Sequence, residues 1–131
     1  MYSIGRETGG VFPYKLFAHD VCDGSLINEI ALPDTDDYTF NPGWGLVVGI
    51  DNEVYFTQTF SGTTDDHCIY HVDQGLNTIT QEVCIPNING YGTLGVAQDE
   101  FGNFFLIVTN TNSTIIHKNR QQWKCHSYFN R

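Results

Sequence analysis

The sequence predicts an all-β fold of tandem four-stranded antiparallel units, and three observations lead there. Aromatic, β-branched, Gly and Asn residues are plentiful while long runs of Ala, Leu, Glu and Lys are missing, which suits strands and turns rather than helices. Short apolar runs are punctuated by Asp, Asn and Gly turn signals. Much of the chain also repeats itself. Its 131 residues make one domain (1–131), long enough to bury about two thirds of the unfolded surface in a single core.

Taken in order, Tyr14 to His19 and Ser25 to Leu32 read as the last two strands of a partial unit over residues 1–33, with Tyr2 to Gly5 as the strand before them. The segment LFAHDVCDGSLINEIALP (16–33) aligns without a gap with IYHVDQGLNTITQEVCIP (69–86) at an offset of 53, so that Asp20 meets Asp73 and Pro33 meets Pro86. GWGLVVGIDNEVYFTQT (43–59) matches YGTLGVAQDEFGNFFLIVT (91–109), Asp51 pairing with Asp99 at an offset of 48. TIIHK (114–118) starts a further match, His117 standing for His71. Two full units therefore span 43–86 and 91–129. Each opens with a glycine-rich strand (45–50; 93–98) and, after an Asp/Asn turn, continues in an aromatic and β-branched strand (53–59; 103–109). A polar loop leads to a third strand (68–73; 114–118) and a short turn to a fourth (78–85; 122–129), the first hairpin turning on Gly75 to Asn77.

Four antiparallel strands every 46 to 53 residues, the first rich in small residues, is what a β-propeller blade requires. Gly45, Gly49, Gly92, Gly95 and Ala97 would let neighbouring blades approach at a crowded axis. The stretch LGVAQDEFGNFFLIVTNTNSTIIHKN resembles the blade of NHL-type and related six-bladed propellers, with its Gly-hydrophobic strand, Asp-x-x-Gly-Asn turn and apolar second strand. A β-sandwich or barrel of eight to ten strands is the alternative fold. The resemblance implies a ring, yet the chain holds fewer than three blades and a closed propeller needs at least four. Copies of the chain are therefore expected to complete it, as a homo-oligomer or larger assembly in a ring, filament or coat. The alternative function is a ligand- or carbohydrate-binding, lectin-like propeller, with Trp44, Tyr91 and Trp123 as candidate stacking platforms. NHL-like relatives also include metal-dependent hydrolases, but the carboxylate and Asn positions of such a site do not emerge here.

Charge is divided along the chain. Between Leu16 and His117 stand 14 of the 15 acids and no Lys or Arg, whereas the last 14 residues carry Lys118, Arg120, Lys124 and Arg131 and no acid. So acidic a body is a poor partner for nucleic acid, and the basic end could dock on the acidic body of another copy. No run of 18 apolar residues predicts membrane insertion. The N-terminus lacks a signal-peptide pattern, which implies a cytoplasmic protein if Met1 is the true start and nothing is processed.

Other features point outside the cell. Cys68 and Cys84 fall opposite one another on the predicted hairpin and read as buried thiols or as a cross-strand disulfide, with metal binding the lesser alternative. Cys22 and Cys125 could pair in turn. Asn112-Ser113-Thr114 is an N-glycosylation sequon. Few lysines and an even cysteine count favour an extracellular or particle-surface location.

For chemistry the sequence offers little. His67, His71, His117, His19 and His126 invite a metal reading, but His67 and His71, four apart on a strand, lie about 13 Å apart and cannot hold one ion, and His71 and His117 occupy matching places in successive units, as a structural residue would. Asp34, Asp36 and Asp37 offer carboxylates for Ca²⁺ but lack the Gly and terminal Glu of an EF-hand loop, and Asp65-Asp66 is read likewise as solvated loop. Asp51 and Asp99 are expected to cap turns. No nucleophile elbow, phosphate loop or zinc motif is present. The expectation is a non-enzymatic protein without a cofactor.

Overall fold

A computed structural model describes residues 1–7, 11–32, 40–60, 66–86, 88, 91–120 and 124–130. Eleven strands form three antiparallel sheets, with no helix among the described residues. The first sheet holds β1 (Tyr2–Glu7), β2 (Val11–His19) and β3 (Leu26–Ala31) in that order. The second is the meander β4 (Phe40–Val48), β5 (Val54–Phe60), β6 (His67–Val72) and β7 (Ile79–Ile85). The third repeats that order with β8 (Gly92–Gln98), β9 (Phe104–Thr109), β10 (Thr114–Arg120) and β11 (Lys124–Asn130). None of the sheets closes into a barrel.

Period-two alternation decides how the sheets stack. On β9, Phe104, Leu106 and Val108 are buried while Phe105, Ile107 and Thr109 between them are half-exposed, as expected of a strand with one face covered. Strands β5 and β6 behave differently: Val54 through Thr57 and His67 through Tyr70 are buried in unbroken runs. The second sheet is therefore covered on both faces. Val54, Phe56, Cys68, Tyr70 and Val72 join Leu16 and Leu32 of the first sheet in one core. Tyr55, Ile69 and Ile85 join Phe104, Leu106 and Val108 of the third in another. The two cores share no residue, so the first and third sheets lie on opposite sides of the second.

Three details depart from the expected elements. Strand β4 begins at Phe40, five residues early, because its pairing with β5 is irregular between Pro42 and Leu46 and resumes beyond the Gly43-Trp44-Gly45 segment. The β6–β7 hairpin turns through Asp73 to Thr78 rather than on three residues. A bulge that leaves Glu82 unpaired then restores the register that sets Cys68 opposite Cys84. In that turn Leu76 takes φ 54°, an unfavourable conformation for a branched side chain, but its side chain is 4% exposed in the first core, and burial offsets a backbone cost of about 1–2 kcal/mol. Asn28 of β3 reaches across to donate to the Gly75 carbonyl at 2.7 Å, fastening this turn to the first sheet.

The glycines divide unevenly. A Cβ on Gly45 would sit 2.4 Å from the Val96 amide nitrogen and 2.7 Å from the Gly95 Cα, so here β4 and β8 meet backbone to backbone. One on Gly95 would meet nothing within 4 Å, so Gly95 supplies the backbone that Gly45 meets while its own side-chain position stays open.

Candidate functional site

With the second sheet enclosed, surfaces available for function lie on the outer faces of the two end sheets and on the rim of hairpin turns. The outer face of the third sheet presents Phe105 and Ile107 of β9 beside Ile116 and Lys118 of β10, in pairs Ile107–Ile116 and Phe105–Lys118 directly across the ladder. The Lys118 ammonium lies 5.2 Å from the centre of the Phe105 ring and 3.8 Å from Asp99. On the outer face of the first sheet, Lys15 pairs with Glu29 at 2.6 Å, and Phe17 lies against His19 at 6.1 Å between ring centres. No further sheet covers either face among the described residues.

The turns form one rim, because meander connections return to the same end and Gln98 accepts the Ile50 N–H at 2.8 Å across the second and third sheets. Aspartates organise it. Asp20 accepts from Cys22 N, Asp51 from Glu53 N, Asp73 from Asn77 N and Thr78 N, and Asp99 from Phe101 N and Asn103 N. Partial burial pushes Asp99 and Asp51 up, but the Asn103 amide and backbone N–H groups, and the Tyr55 hydroxyl at 2.5 Å with the Glu53 N–H, hold the two carboxyls below the ordinary range. These carboxylates serve the turns. Apolar side chains stand exposed beside them: Val21 (79%), Leu26 and Ile27 at the β2–β3 turn, and Ile50 and Phe101 (76%) further along.

His71, His19 and His67 have structural partners. His71 is held between Glu53, through a very short contact, and Glu82 at 3.4 Å, with its ring against Tyr55. His19 bonds Ser3 at 3.3 Å and lies 3.2 Å from the Gly24 carbonyl. His67 is 5% exposed and bonded to Thr93, while the buried Nε2 of His117 has no partner among the described residues. Among those residues no three His, Cys, Asp or Glu side chains are grouped to hold a metal ion. The sequence contained no local signal for the His67 environment, since Thr93 lies 26 residues away on another sheet.

Cys68 and Cys84 form a disulfide across β6 and β7, their Cα atoms 4.1 Å apart, which is compatible with an extracellular location. Cys22 is a free, exposed thiol. Asn112 is exposed in the β9–β10 turn, where the Asn110 side chain accepts from Asn112 N and Ser113 N. Tyr91 is half-buried against the second core and hydrogen-bonds Ser113. Asp34, Asp36, Asp37, Asp65, Trp123 and Arg131 lie outside the described residues, as do the side chains of Trp44, Arg120, Lys124, Cys125 and His126. The basic end is itself part of the third sheet, as β10 and β11. No described helix is long and apolar enough to cross a membrane.

No family model matches the chain, and comparison with curated proteins and with solved structures likewise finds no match.

Proposed function

We propose that the chain is a non-catalytic assembly module, its three stacked sheets forming part of a β-propeller-like ring that other copies complete. The observation that carries this reading is the contrast between the second sheet, buried on both faces, and the end sheets, each covered on one face only. Stacking the outer face of one copy's third sheet on the first sheet of the next would bury Phe105, Ile107 and Ile116 as the middle sheet buries its own apolar residues. Two copies supply six sheets, a usual propeller number. Lys118 on the exposed face and the acidic remainder of the chain favour such a contact electrostatically. The Cys68–Cys84 bond supports an oxidising setting, extracellular or on a particle surface.

Sedimentation velocity at micromolar concentration tests the reading. Dimers or larger rings are expected, weakened by salt, and Ile107→Asp should yield monomers that keep their β circular dichroism. A wild-type chain that stays monomeric and unfolds cooperatively would refute it.

A further inference from the structure

We propose that His67 is a proton-operated latch, which in its neutral form pins Ile88 of the β7–β8 connector to the interface between the second and third sheets and on protonation releases it. The hydrogen bonds define the device. The Ile88 N–H, within that connector, donates to His67 Nε2 at 3.4 Å, and Nδ1 lies 3.0 Å from the Thr93 hydroxyl on β8. A ring nitrogen that accepts carries no hydrogen, so the ring is the neutral Nδ1–H tautomer and donates to Thr93. An imidazolium has N–H on both nitrogens. Its Nε2–H would then point at the Ile88 N–H, two donors face to face, in a site where His67 is 5% and Thr93 3% exposed. Water has little access to separate them.

What the latch holds is the passage from one sheet to the next. The Ile88 carbonyl accepts from Tyr91 N at 2.9 Å, and Tyr91 packs into the second core with its hydroxyl on Ser113 of the β9–β10 turn. Freeing Ile88 would loosen the start of β8, the strand that meets β4 backbone to backbone at Gly45.

The surrounding groups favour the neutral form. Burial of His67 is the largest influence, and His117 of β10 adds repulsion, both lowering its proton affinity, while the exposed Asp66 just before the strand pulls the other way. The buried His117 nitrogen is itself unpartnered and burial disfavours its charge too. On β5, Thr57 pairs with Ile69 and carries an uncharged hydroxyl without a partner among the described residues. Tyr91, which follows the connector, has its hydroxyl engaged by Ser113. The titratable groups elsewhere on this interface are engaged with one another: Asp51 accepts from the Tyr55 hydroxyl, and His71 lies between Glu53 and Glu82. On the third sheet Asp99 and Lys118 are paired. Among the described residues none of these groups is bonded to the His67 ring. A folded state that binds this proton less readily than the unfolded chain keeps its full stability above about pH 6.5 and loses it as the pH falls below. All the groups lie in one chain, so the device stands or falls independently of assembly.

The test follows the ring and the connector together in the full-length protein by NMR. The His67 ring signals should titrate below the ordinary imidazole range, and protection of the Ile88 and Tyr91 amides against exchange, corrected for intrinsic chemistry, should fall about tenfold for each pH unit below the unfolded-state value. His67→Gln, which can donate to Thr93 and accept from Ile88 at every pH, should abolish that fall. An identical fall in His67→Gln would overturn the proposal. If the variant does not fold, the wild type alone decides: an ordinary ring titration near pH 6.5 with unchanged Ile88 protection overturns it as well.

Discussion

Reducing the Cys68–Cys84 disulfide offers the sharpest test of the energetics. The bond closes a segment of 16 residues' separation, and chain-entropy estimates for a loop of that size amount to about 3 kcal/mol at room temperature. Urea unfolding followed by tyrosine and tryptophan fluorescence would read this as a fall in midpoint of about 2 M, taking a slope near 1.5 kcal/mol/M. The slope itself should rise on reduction, because the uncrosslinked unfolded chain exposes more surface. Burial separates the cross-link from packing. Cys68 is 5% exposed within the first core, whereas Cys84 is exposed. Under reducing conditions Cys84→Ala should match the wild type, and Cys68→Ala should lose about a further 1 kcal/mol for the space it leaves. Equal midpoints for oxidised and reduced wild type, within about 0.3 M, would show that β7 adds little to the cooperative unit and would sink the reasoning.

Other perturbations address the inter-sheet contact and the turns. Gly45→Ala places a Cβ against the backbone of Gly95 and Val96, which cannot swing aside, and should cost about 2–3 kcal/mol in urea unfolding, while Gly95→Ala, facing open space, should change stability by under about 0.5 kcal/mol; equal effects would contradict the close approach of β4 and β8. The Thr78 N–H, with Asn77, holds the Asp73 carboxyl down to about 2. A depressed carboxylate contributes stability above its unfolded value that is lost as pH falls through its folded one. Between about pH 4 and 2 the wild type should therefore lose stability more steeply than Asp73→Asn, and parallel curves would exclude the turn as the source.

Much of the strand pattern was legible locally. Alternating apolar residues in FFLIVT, the Asp-x-x-Gly-Asn turn at 99–103 and the match between GWGLVVGIDNEVYF and its later counterpart place β4, β5, β8 and β9. Those signals are carried by the residue itself and its near neighbours. The bulge at Glu82 was not legible, although the cysteine pairing it permits was among the readings, since a hairpin's register depends on where the ladder yields rather than on turn length alone. Leu76 was hidden for a related reason: a leucine between Gly and Asn in a turn reads as exposed until another sheet arrives to cover it.

By itself, then, the sequence determined an all-β chain in tandem antiparallel meanders, the turn aspartates and an opposed cysteine pair, all consequences of propensity and short-range periodicity. Only the tertiary structure decided which sheet is enclosed on both faces, that Gly45 has no room for a side chain where it meets Gly95 and Val96 whereas Gly95 does, and that His67 is buried with both ring nitrogens engaged. Each of those depends on residues that are distant in sequence and become neighbours only when the sheets stack, and no local pattern encodes which face will meet which.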